Sequence, residues 1–214
     1  MPRRVVDRLV LPLAGSLTTY LVLVGGGIVY ATVGNSASDG LVTQMLINAV
    51  VVLGMQIYIG NTGVLSFGHI GFGAIAGYAF AIFAISPERK AEQIPDAPFG
   101  LAAVDLTPFQ SSMVAGLIAV VVAFVIGLGL ARSGARSGAV AATVITLALL
   151  FVVHEVARNW IDLTRGGKTG LSFSPLGGVT LQGRGWICLA LFLALLAARL
   201  FKETSIGRLA QAAR

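Results

Sequence analysis

The chain has 214 residues, 56% of them hydrophobic and only 11% charged, with a mean hydropathy of +0.88. Soluble domains carry about a quarter charged residues, so this composition excludes one and leaves a polytopic membrane protein. The net charge of +6 comes from cations gathered in the connections between apolar runs, a positive-inside pattern and not a nucleic-acid surface. A single cysteine, Cys188, and two histidines, His69 and His154, exclude an intrachain disulfide, a thiolate cluster and a multi-histidine metal site.

The first apolar run, about Leu9 to Val33, follows Arg3, Arg4 and Arg8. It exceeds the roughly 7–15 apolar residues of a secretory signal, so it reads as an uncleaved first span with its amino end inside. After a short polar connection, Gly34 to Gly40, a second run extends from about Leu41 to Ile59, close to the roughly 20 residues that cross hydrocarbon. Asn48 and Gln56 lie within it, on neighbouring sides of a helix about 80° apart. Buried amides of this kind glue helices together or bind substrate.

Next comes GNTGVLSFGHIGFGAIAGYAFAIF, Gly60 to Phe83, with glycines at 60, 63, 68, 71, 73 and 77 beside Asn61, Thr62, Ser66 and His69. Each glycine costs about 1 kcal/mol of helix propensity against alanine, and unwound backbone facing lipid leaves polar groups unpaired. The first part is therefore expected to be a helix break sheltered inside a protein bundle, where such breaks build substrate paths. A helix starting near His69 would direct free N–H groups at an anionic carboxylate. Alternatively, Ser66 caps that helix and His69 is a packed core histidine. The third run reaches Ile85, and Gly73 with Gly77 reads as a small-xxx-small packing pair.

Ser86 to Phe109 is a long connection holding Glu88, Arg89, Lys90, Glu92, Asp96 and Asp105; its acidic excess fits the outside. A fourth run, about Ser111 to Ala131, and a fifth, about Ala139 to Ala157, flank the basic link Arg132 to Gly138. A second outer connection, Asn159 to Gly185, precedes a sixth run, Trp186 to Leu200, which is short for a crossing unless Arg199 and Lys202 snorkel. The expected architecture is all-α: a polytopic bundle of about six transmembrane helices, both ends inside, with a glycine-broken segment between the second and third. Nine Lys and Arg fall inside and six outside. Glu155 and Arg158, three apart near the outer end of the fifth span, share a helix face and can pair; as ionisable groups in a membrane they are also functional candidates. There is no phosphate-binding glycine loop, metal-spaced histidine pair or serine elbow, so no enzyme is expected and ATP would have to be used by another chain.

Gly60-Asn61-Thr62-Gly63-Val64-Leu65-Ser66-Phe67-Gly68-His69, with Phe72, Gly73, Gly77 and Tyr78, resembles the signature of the branched-chain amino acid ABC transporter permeases, a family that also serves urea and short amides. Two further stretches are similar to family segments in the same order: Thr146-Leu147-Ala148 followed by Thr164 to Leu171, with Arg165 where glycine is usual, and Ser205 to Arg214. The likeness is closer to the second, "M"-type permease subunit.

The resemblance implies a vitamin B12-importer-like fold, one transmembrane permease domain over 1–214, and a bacterial inner membrane location with a cytoplasmic amino end. It implies a second permease subunit, two cytoplasmic ATPase subunits that hold ATP and Mg, and a periplasmic solute-binding protein, with no cofactor in this chain. Carried over, Gly63, Ser66, Gly68 and His69 are path candidates, with Asn48, Gln56, Glu155 and Arg158 behind them. Gly207, Arg208, Ala212 and Arg214 would begin an ATPase-coupling element at 205–214. Family members continue beyond this arginine with further spans, so the C-terminal part of the family pattern is expected to be missing. The competing readings are a self-contained channel or ion-coupled carrier for a small solute, and a membrane subunit serving assembly alone.

Overall fold

The computed structural model describes residues 2–34, 36–134, 139–166, 170–172 and 184–212, and all regular structure among them is helical. In chain order the helices are α1 (Pro2–Val33), α2 (Ser36–Thr62), α3 (Gly68–Ala84), α4 (Pro87–Gln93), a short 3-10 turn (Pro98–Ala103), α5 (Pro108–Gly134), α6 (Ala139–Asn159), α7 (Ile161–Thr164), α8 (Arg184–Glu203) and α9 (Ser205–Ala212). Five of these described helices, α1, α2, α5, α6 and α8, are long and apolar enough to cross a membrane, and α3 is a shorter apolar helix. With 17 residues it spans about 26 Å, a little under the hydrocarbon thickness of about 30 Å. The last helix is longer than the apolar run Trp186 to Leu200: α8 runs on through Arg199 and Lys202 to Glu203, which gives it the length to cross. Positions 135–138 of the basic link lie outside the described residues.

The chain divides into two compact units, Met1–Val64 with Gln182–Arg214, and Leu65–Leu181. In the first, α8 packs along both α2 and α1, and α9 folds back against α8 and α2. Val42 and Leu46 of α2 meet Leu191 and Leu195 of α8 in its buried centre, and Tyr20 of α1 stacks edge-on against Phe192 with ring centroids 5.5 Å apart. In lipid such a core is held by fit and dispersion more than by exclusion of water.

In the second unit α3 is the central element, packing on α5 and α6. The close approach to α6 is made at Gly68 and Gly71: a Cβ on Gly71 would lie 3.5 Å from Val153, and one on Gly68 3.5 Å from Thr146. Gly73 and Gly77, expected to be the packing pair, have no neighbour within 4 Å of such a Cβ, because they face away from α6. The connection between α3 and α5 is folded rather than slack. Lys90 of α4 is fully buried and its Nζ donates to the carbonyls of Leu101 (3.2 Å) and Val104, satisfying groups that the 3-10 turn leaves open. Apolar side chains such as Phe124 and Val125 of α5 stay exposed, 66% and 62%, as suits surfaces made for lipid or a membrane partner.

Candidate functional site

The helix break forms where the sequence places it. Gly63 takes φ 70° and its N–H still donates to Ile59 at 2.9 Å, so it closes α2 in the left-handed conformation that suits glycine. Thr62 reinforces the end: its Oγ1 donates back to Tyr58 (2.9 Å) and accepts the N–H of Val64 (3.2 Å). Residues 63–67 are non-helical and α3 starts at Gly68, with Phe67 as its N-cap and no side chain capping it. Ser66 is buried without acting as that cap, and His69 sits half-buried in the first turn of α3.

Within the second unit the exposed backbone of this segment is met by hydroxyls of α6. Thr146 Oγ1 accepts the N–H of Phe67 at 3.2 Å, and Thr143 Oγ1 donates to the carbonyl of Leu65 at 2.9 Å. Thr146 Oγ1 in turn donates to the Thr143 carbonyl (2.9 Å), so the hydroxyl is used in both directions. Leaving such a buried amide unpaired costs about 1–3 kcal/mol. The glycine-rich stretch and the Thr146-Leu147-Ala148 stretch are thus one construction: Gly68 faces α6 with room for no more than a methyl group at ordinary contact distance, and threonines on α6 supply hydrogen bonds that the break requires. Thr143 and Thr146 were not expected as site residues. The signal for them is their spacing of three, which puts two hydroxyls on one face of an otherwise apolar helix.

The second-tier candidates separate. Glu155 and Arg158 are exposed on α6, nine or more residues beyond Thr146, hence about 14 Å or more along the axis. Their expected pairing is not formed among the described residues; Glu155 instead accepts from Asn159 Nδ2 at 2.9 Å, one turn further on. Asn48 is exposed and accepts from Gln44 on its own helix (3.0 Å), which corrects the expectation of a buried interhelical amide. Gln56, exposed, lies with the buried Asn61 on a half-open cavity of about 580 Å³ lined by α1, α2 and α8.

At the end of the first unit, Gly207 is required by close approach: a Cβ there would lie 2.0 Å from the Phe201 carbonyl oxygen. Its N–H is held by Thr204 Oγ1 at 3.0 Å, which starts α9 directly off α8. Arg208 and Ala212 are exposed on α9, and Arg214 lies outside the described residues. Gln211 Nε2 donates to Asn61 Oδ1 at 2.8 Å, tying α9 to the last turn of α2.

In the connection after α6, Arg165 has φ 63° and Gly166 φ 76°. An arginine therefore occupies a left-handed position that glycine fills without strain, which accounts for glycine being usual there. Positions 167–169, including Lys168, are outside the described residues. Gln93 of α4 holds both backbone groups of Ser172 (2.8 and 3.2 Å), joining the connection after α3 to the one after α6 within the second unit.

Five described helices long and apolar enough to cross a membrane, with a hydrogen-bonded break between α2 and α3, are the build of a multi-pass membrane protein. Comparison with known families agrees: residues 37–214 match the branched-chain amino acid transport system permease component, and the chain belongs to that family. No curated protein and no solved structure matches it.

Proposed function

We propose that the chain is a permease subunit of an ATP-driven importer in a bacterial inner membrane, amino end cytoplasmic, carrying branched-chain amino acids or related small polar solutes. The observation that carries this reading is the break at 63–67, whose polar backbone is satisfied by Thr143 and Thr146 while the flanking segments remain helical. A break kept in this way supplies polar groups at membrane depth without opening the bundle to lipid. Gly63, Ser66, Gly68 and His69 belong to the path in this reading. Gly207, Arg208, Ala212 and Arg214 belong to the element that meets a partner ATPase, and the seating of α9 on α8 and α2 supports that role. A second permease subunit, two ATPase subunits and a solute-binding protein complete the machine.

Reconstitution into liposomes tests it. Uptake of a branched-chain amino acid that requires the partner ATPases and ATP is the expected result. Uptake driven by an ion gradient without ATPase would support a self-contained carrier and overturn the proposal.

A further inference from the structure

Resting on that reading, we propose that Gln211 is a positioning residue for transport: its hydrogen bond to Asn61 is the contact through which motion of α9 reaches the helix break. The bond joins the element assigned to a partner ATPase to the last turn of α2, two residues before Gly63 turns the chain out of the helix.

Asn61 is fully buried, and both ends of its amide are used. Nδ2 donates to the carbonyl of Ile57 at 2.6 Å, one turn back on α2, while Oδ1 faces α9. The group that meets Oδ1 must therefore be a donor, and Gln211 Nε2 supplies one at 2.8 Å. An asparagine there is otherwise unfavourable, since it prefers turns to helix interiors and its buried amide needs partners. The helix ends one residue later, at Thr62, so a displacement of Asn61 arrives at Gly63 with almost no helix between them to absorb it.

α9 has the build of a lever. Only Thr204 separates it from α8. Thr204 Oγ1 donates to the Phe201 carbonyl (2.6 Å) and accepts the N–H of Gly207 (3.0 Å), while the N–H of Arg208 donates to the Thr204 carbonyl (3.0 Å). The backbone at Gly207 lies too close to the Phe201 carbonyl for any Cβ, so the angle between the two helices has little freedom. The faces of α9 are also divided. Buried Gly207 and Gln211 share one side, and Ile206 and Leu209, each 68% exposed, lie about 150° around the helix from them. One face is seated on α2 and α8, and the opposite one is open to a partner. Rigid elements joined by hydrogen bonds are what carry energetic coupling between separated sites.

The test uses proteoliposomes holding the assembled complex, with its ATPases and binding protein, and measures radiolabelled L-leucine taken up per ATP hydrolysed. Gln211→Met keeps the length of the side chain but has no donor, and Gln211→Glu presents an acceptor to an acceptor. Each should cut leucine per ATP at least about threefold, with recovery of the ATPases in co-purification unchanged. Gln211→Lys restores a donor on a flexible stem and should stay within about twofold of wild type. Asn61→Leu removes the acceptor, so adding Gln211→Met to it should cost nothing more. Should Asn61→Leu fail to assemble, the variants at the exposed position 211 decide alone. Wild-type leucine per ATP in both Gln211→Met and Gln211→Glu overturns the proposal. A loss of uptake matched by a loss of ATPase recovery also overturns it, because the bond then only seats α9. So does a Gln211→Lys as deficient as Gln211→Glu, because donation is then not what counts. Wild-type uptake that needs no ATPase removes the permease reading beneath, whereas ATP-dependent uptake with indifferent variants removes this contact alone.

Discussion

Replacing Thr146 by valine removes one oxygen and little else. The branched shape is kept, so the 3.5 Å packing position against Gly68 survives, but the N–H of Phe67 loses its acceptor. A buried donor left unsatisfied costs about 1–3 kcal/mol, so opening of the 63–67 segment should become about 5- to 150-fold more frequent. Hydrogen exchange of peptides spanning 60–70 reads this directly, and thermal unfolding in detergent should fall by about 4–8 °C for a 2 kcal/mol loss in a chain of this size. Thr146→Ser keeps the oxygen and gives up one methyl, worth at most about 0.8 kcal/mol, so it should be the milder change. If the valine variant exchanges like wild type while the serine variant is the more damaged, packing and not the hydrogen bond holds the break, and the reasoning fails.

Gly68→Ala should keep most uptake, because its Cβ would meet α6 at ordinary contact distances, whereas Gly68→Leu should abolish uptake by overpacking against Thr146 and Leu149 without preventing membrane insertion. Gly207→Ala forces a carbon against the Phe201 carbonyl, so α9 should lose its seat, and recovery of the ATPase in co-purification should drop severalfold. Lys90→Met should destabilise the cap formed by α4 and the 3-10 turn by about 1–3 kcal/mol per carbonyl left unpaired. Burial holds the Lys90 ammonium below the usual lysine range, with Asp105 opposing. The folded cap therefore binds fewer protons than the unfolded chain, so wild-type stability should rise with pH between the lowered value and the ordinary one near 10.4. Unfolding temperatures recorded between about pH 7 and 10 should show that slope in wild type and lose it in the methionine variant.

Much of the fold was legible because glycine and apolar runs speak plainly. Gly63 ends one helix and Gly68 opens the next, within a residue or two of where six clustered glycines and Ser66 suggest a break. What the sequence could not tell was which glycines touch a neighbour. Gly73 and Gly77 fit the small-xxx-small spacing, yet Gly68 and Gly71 meet α6, since facing depends on where α6 lies and not on spacing alone. Glu155 was likewise matched to Arg158 by spacing, but Asn159 offers it a donor on the same helix face. The supporting role of the α6 threonines is not legible, although Thr146 belongs to a stretch with family likeness, because a hydroxyl in an apolar helix commonly bonds its own backbone; only the partner segment reveals Thr143 and Thr146 as its support.

Leu65 in the break and Val121 on α5 are comparably exposed, 49% and 52%, so a cysteine at each, with Cys188 replaced by serine, separates water access from exposure alone. Labelling with a charged, membrane-impermeant methanethiosulfonate in reconstituted complex is the direct measurement. If the break borders the solute path, Leu65→Cys reacts, substrate slows the reaction, and Val121→Cys stays inert in lipid. Equal reactivity at both positions, or a Leu65→Cys that is silent with and without substrate, would contradict it.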